Sequence, residues 1–105
     1  MTNYKINYSE ASQNDLSEIF EYIAYTLKEL KTAQILIRRI LKEISGLKTM
    51  PFRNPICNDL KLSLELRSFK IGNYIAFYSA DKEKQTVNII RIIYGGRDFD
   101  EQFSN

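Results

Sequence analysis

Histidine, the side chain that most often moves protons near neutral pH, is absent from the 105 residues. Cys57 is the only thiol. Ser-His-Asp and Cys-His nucleophiles are therefore excluded, together with the commonest zinc ligand. Any proton transfer would fall to Tyr, Lys, Arg, Asp or Glu. Cys57 has neither a second cysteine to pair with nor a histidine to activate it, and it reads as an incidental thiol. No glycine-rich phosphate loop, dinucleotide fingerprint or metal-ligand spacing occurs, so no cofactor or metal is expected.

Charge is the other chemical resource. Net charge is only +2, but residues 31–97 carry 13 Lys or Arg against 5 Asp or Glu, whereas 1–30 and 98–105 together carry 2 against 8. A basic body beside acidic flanks suits a polyanionic or acidic partner, or simply a mixed-charge surface. Arg38, Arg39 and Lys42 form the tightest cationic cluster. It is either a contact with a target or a solvated helix face. Seven tyrosines could stack on bases, although Tyr4, Tyr8, Tyr74 and Tyr78 fall in strand-like runs where sheet packing accounts for them.

The elements that would carry these groups follow from periodicity. Tyr4, Ile6 and Tyr8 alternate with polar residues, as in a half-buried strand. A helix starts at Ser9 or Ser12; Ser12 with Asp15 three residues on has the spacing of a capping box. Leu16, Ile19, Phe20, Ile23, Leu27 and Leu30 line one stripe. A second helix opens at Thr32, with Ala33, Leu36, Ile37, Ile40, Leu41, Ile44 and Leu47 as its apolar side. The short break at 29–32 makes the pair an antiparallel hairpin. Pro51 and Pro55 mark 50–59 as a loop. Three strand-like runs close the chain, at about 63–71, 74–80 and 86–94, with Gly72-Asn73 as a two-residue hairpin turn. In the last strand Ile89 and Ile93 fall on one face and Ile90 and Ile92 on the other, which suits a central strand.

The order is β-α-α-β-β-β. It predicts a single α+β domain over 1–105, with a helical hairpin packed on a mainly antiparallel four-stranded sheet. No apolar run is long enough to span a bilayer and the N-terminal segment has no signal-like apolar stretch, so a cytoplasmic protein without membrane contact is expected.

These segments, in this order, resemble the RelE/ParE superfamily of type II toxin–antitoxin toxins. Tyr8-Ser9-Glu10-Ala11 with Asp15-Leu16 and Tyr22-Ile23 is similar to the family's first strand and helix. Leu47 to Pro51 resembles the end of its second helix. Leu66-Arg67, then Gly72 to Tyr78, then Val87 to Asp98 resembles its strand block. The resemblance implies a growth-arresting toxin held in a hetero-oligomer by a cognate antitoxin. It acts either on DNA gyrase, as in the ParE branch, or on ribosome-bound mRNA as an endoribonuclease.

Individual residues bear on that choice. Strand-cleaving relatives commonly carry an arginine in the second meander strand, in a pattern like Tyr-Arg-Leu-Val-Tyr. The matching stretch here is Tyr74-Ile75-Ala76-Phe77-Tyr78, and Ile75 cannot neutralise a phosphate. Lys70 and Arg67 are the cations of the preceding strand. Tyr94 occupies a position often held by histidine, and Arg97 one where both branches often place a basic residue. If the chain were a nuclease, Arg67, Arg91, Tyr94 and Arg97 would be its catalytic candidates, with Tyr94 needing nearby cations to lower its pKa. Tyr94 could equally pack at the sheet end, and Arg91 could form an ion pair with Glu65 or Asp98. Ile75 and the two long helices favour the ParE branch, where Arg38, Arg39, Lys42 and Arg97 are the candidate target contacts. For the antitoxin, the resemblance points to a groove beside the hairpin and to an outer strand edge near Leu62, Leu64 and Leu66.

Overall fold

The computed structural model describes residues 3–56 and 65–95. Strand β1 spans Lys5–Tyr8, helix α1 Glu10–Glu21, helix α2 Leu30–Ser45, and strands β2, β3 and β4 Arg67–Ile71, Tyr74–Asp81 and Thr86–Tyr94. The sheet runs β1-β4-β3-β2. β1 lies parallel to β4, and the other pairs are antiparallel. The β-α-α-β-β-β order and the central place of β4 agree with the sequence reading.

Ser9 ends β1 and starts α1. Its backbone is extended, and its Oγ accepts the Ser12 amide at 3.0 Å, the N-cap bond that satisfies a first-turn donor. Ser12 is therefore not the cap, and Asp15 is free for another role. α1 runs into a π-helical turn over Tyr22–Thr26, and Lys28 reverses the chain at φ 57. Only Leu27, Lys28 and Glu29 separate that turn from α2, which begins at Leu30, two residues before the expected Thr32. This early reversal leaves Leu27 and Leu30 at the exposed hairpin tip instead of on the buried stripe, and Leu41 is likewise exposed.

α2 buries Ala33, Ile40 and Ile44, and Leu47 follows in the 3-10 turn Gly46–Lys48. Each large apolar side chain so buried contributes roughly 1.5–3 kcal/mol relative to exposure. They meet Ile71, Ala76, Tyr78, Val87, Ile89 and Ile92 of the sheet. Leu66, Phe77 and Ile93 form a second buried cluster with Ile75 and Ile90 beside it. The expected partition of β4 is thus wrong: Ile89 groups with Ile92, and Ile90 with Ile93. The cause is a β-bulge. Phe77 pairs with Arg91 but Tyr78 pairs with Ile89, so Ile90 is an extra residue that shifts the two-residue alternation.

Gly72 takes φ +60 at the first central position of the β2–β3 turn, while Asn73 does not have a positive φ, the II′ pattern that matches strand twist. β2 begins at Arg67, later than the expected start near 63; Ser63 and Leu64 lie outside the described residues. No helix among the described residues is long and apolar enough to cross a membrane.

Candidate functional site

Arg91 sits immediately after the bulge in β4. Its Nε and Nη2 donate to the two carboxylate oxygens of Asp15 at 2.8 and 2.9 Å. Asp15 Oδ2 also accepts the Ile92 amide at 2.9 Å. The local reason is the short length of β1, which pairs with β4 only as far as Ile89. Beyond it the β4 edge is completed by α1: the Ser9 hydroxyl donates to the Ile90 carbonyl at 2.8 Å, and Asp15 takes the next outward amide. The Asp15 hydrogen bond and charge raise the Arg91 pKa against the opposing effect of burial, so the guanidinium stays charged. Arg91 does form an ion pair, but with Asp15, not with Glu65; Asp98 lies outside the described residues.

Arg67 opens β2 and holds the loop after α2. Its Nη1 donates to the carbonyls of Phe52 and Asn54 at 3.2 and 2.6 Å. Its guanidinium carbon lies 5.2 Å from the Phe52 ring centre, a cation–π distance, and Glu65 stands 4.0 Å from its Nη2. Tyr78 grips the same loop: its hydroxyl donates to the Pro51 carbonyl at 2.6 Å and accepts from Asn54 Nδ2 at 3.1 Å. Sequence reasoning missed Asn54 and Asp15. A carboxylate at position 15, inside the apolar stripe formed with Leu16 and Ile19, was the available signal for Asp15.

Tyr94 ends β4 with its side chain half exposed, edge-on to Tyr74 at 5.7 Å. Its hydroxyl has no hydrogen-bond partner among the described residues. Burial, then Tyr94 and Tyr22, push the Tyr74 pKa up. Arg97 lies outside the described residues, as do Cys57, Phe99 and Phe103. Ile75 belongs to the sheet face that holds Leu66, Phe77 and Ile93.

The third candidate surface is α2. Arg38, Arg39 and Lys42 are all exposed. Arg39 is bound to Glu43 at 2.9 Å one turn on, and Arg38 and Lys42 fall with Lys31 on one solvent stripe around the exposed Ile35. The structure thus divides the sequence candidates. Arg67 and Arg91 are committed to internal acceptors, Tyr94 is open at the sheet end, and the α2 cations face outward.

Comparison with known proteins places this arrangement. A family model described as the ParE toxin of type II toxin–antitoxin systems, parDE, matches residues 6–99. No curated protein matches. Among solved structures, the chromosomal ParDE system from P. aeruginosa is similar at TM-score 0.71 with 13% identity, over 87% of this chain and 95% of that one. The toxin–antitoxin complex RelBE2 from Mycobacterium tuberculosis gives TM-score 0.62 with 19% identity, over 88% and 98%. The archaeal RelE-RelB complex from Pyrococcus horikoshii gives 0.62 with 18% identity, over 93% and 100%. At these identities the likeness to solved structures is one of fold. The family match spans nearly the whole chain, and the protein belongs to the ParE toxin family of type II toxin–antitoxin systems.

Proposed function

We propose that this toxin arrests growth by ParE-like inhibition of DNA gyrase in the cytoplasm, and that a cognate antitoxin neutralises it in a hetero-oligomeric complex. The observation that carries the reading is the commitment of Arg67 and Arg91. Cleaving RNA through its 2′-hydroxyl requires cations free to stabilise a phosphorane-like transition state. Arg91 is neutralised by a carboxylate at 2.8 Å, and Arg67 holds two backbone carbonyls through its Nη1. Ile75, where strand-cleaving relatives carry arginine, adds a third missing charge. The outward cations Arg38, Arg39 and Lys42, with Arg97, are the proposed target contacts.

The alternative, a RelE-like ribosome-dependent mRNA endoribonuclease, draws on one observation: Tyr94 is open to solvent at the end of β4, three residues before Arg97 in the sequence. The two readings separate in a paired assay with purified protein. Gyrase inhibition predicts blocked supercoiling with mRNA left intact on translating ribosomes. Cleavage at the ribosomal A site, lost in Tyr94→Phe or Arg97→Ala without loss of folding, would overturn the proposal.

A further inference from the structure

Five of the ten large apolar side chains exposed among the described residues lie between positions 22 and 35, at the free end of the helical hairpin. Apolar residues scattered singly over a surface need no explanation, but a cluster does. Ile35 is the one farthest from the chain reversal: it lies more than a turn inside α2 and is 57% exposed. It belongs to none of the buried clusters, although its neighbours Leu36 and Ile37 both pack on the core. Isoleucine is also a poorer helix former than lysine or glutamine, so α2 gains nothing from it at an outward position.

The stripe around Ile35 is cationic. Lys31 stands one turn before it, Arg38 one turn after and Lys42 two turns after, so the four residues span about 16 Å of helix. Among the described residues, none of these three cationic side chains has an ion pair or a hydrogen bond. Glu43, the one acid of α2, lies to the side and is held by Arg39. In α1, Asp15 turns to β4, so the opposite side of that helix looks the same way as the α2 stripe. It carries Glu10, Asn14, Ser17 and Glu21, all exposed. The outer face of the hairpin is thus a basic row with an apolar centre beside an acidic row.

An inhibitor of gyrase can hold either the enzyme or the DNA bound to it. Cations alone would suit the phosphates. Two features of this face do not. A phosphate backbone gives Ile35 no apolar surface to bury, and Glu10 and Glu21 on the neighbouring helix repel a polyanion. An apolar centre ringed by unpaired charges is instead the anatomy of a protein contact. We infer that the toxin holds the gyrase polypeptide and not its DNA, through the outer face of α2, with Ile35 entering an apolar pocket rimmed by carboxylates that meet Lys31, Arg38 and Lys42. The inference rests on the proposed gyrase reading and adds to its cationic contacts the anchor between them. The charged rim steers and orients the encounter, and the buried isoleucine supplies the affinity.

The test measures binding of the full chain to immobilised gyrase holoenzyme without DNA, and separately to a duplex oligonucleotide, with supercoiling inhibition followed in parallel. The unaltered chain should bind the DNA-free enzyme. Ile35→Ala should weaken that binding and the inhibition by about tenfold or more, with an unchanged melting temperature because the side chain lies outside the core. Ile35→Lys separates the two ligands. A fourth cation on the stripe should weaken a protein contact at least as much as alanine does, but would tighten a phosphate contact and steepen its salt dependence. Lys31→Glu should weaken enzyme binding too, and serves where an Ile35 variant fails to fold. Full affinity in Ile35→Ala or Ile35→Lys, or binding to gyrase only when DNA is present, overturns the protein contact and leaves the gyrase reading standing. An unaltered chain that leaves supercoiling intact overturns both.

Discussion

The Asp15 carboxylate accepts three hydrogen bonds while only 8% of its side chain is exposed, and its partner Arg91 is 27% exposed. Removing one member of such a pair leaves the other poorly solvated. Asp15→Ala should therefore destabilise the fold by about 3 kcal/mol, since it strands both the guanidinium and the Ile92 amide. Arg91→Ala should cost a comparable amount, because the remaining carboxylate keeps the Ile92 amide as donor but is left charged and nearly buried. Urea unfolding of both single variants and the double variant measures the coupling; additive losses would refute the bidentate pair as a stabilising unit. Sequence alone could identify Arg91 as a charge on a central strand that needs a partner. It could not identify the partner, because Asp15 is 76 residues away and Glu65 was as acceptable by charge. The same limit applies at Arg67, whose acceptors are backbone carbonyls that no side-chain pattern announces.

At the scale of elements, period and turn chemistry were readable where local physics dominates. The 3.6-residue stripe of α2, apart from the exposed Leu41, and the Gly72 turn both hold. Gly72→Ala should destabilise by about 1 kcal/mol, because φ +60 is strained for any residue with a Cβ. The added methyl would also stand 3.3 Å from Arg39 Nη1, the far end of a flexible side chain that can move. Thermal unfolding checks this, and a melting point equal to that of the parent would show the turn relaxing to another type. Boundaries were less readable. α2 starts at Leu30 because Lys28 adopts a left-handed conformation that lysine seldom takes, so nothing in composition marks the reversal. The Ile90 bulge is equally silent: isoleucines on both sides of Arg91 give strict alternation no cue to fail. That bulge nonetheless sets which isoleucines face the helices and where Arg91 lies against α1.

Across the whole molecule, the acidic N-terminal segment and the basic middle become two neighbouring helices, with Glu10, Glu18 and Glu21 exposed on α1 and Lys31, Arg38, Arg39 and Lys42 exposed on α2. Charge asymmetry and fold class were thus legible, since both are sums over many residues. The response of the fold to alkali is also a sum, and it is set by tyrosines in the sheet. Burial is the first cause that raises the pKa of Tyr8, Tyr74 and Tyr78 above 10.0, and at Tyr78 it outweighs the lowering by Asn54, Arg67 and Arg53. A group with a raised folded pKa holds its proton more tightly in the native state. Its contribution is therefore intact below the unfolded value of 10.0 and is lost as pH rises through the folded value. The melting temperature should thus show no tyrosine-driven loss below about pH 9 and fall steeply above about pH 10. Tyr78 should dominate, because its deprotonation removes the donor to the Pro51 carbonyl and places an anion in the core. Tyr78→Phe should be less stable near neutrality by about 1–3 kcal/mol, with the Pro51 carbonyl and the Asn54 amide left unpaired. The same variant should lose less of its remaining stability in alkali. An alkaline slope unchanged in Tyr78→Phe would assign the effect to the more exposed tyrosines and remove Tyr78 as the pin between the sheet and the 51–54 loop.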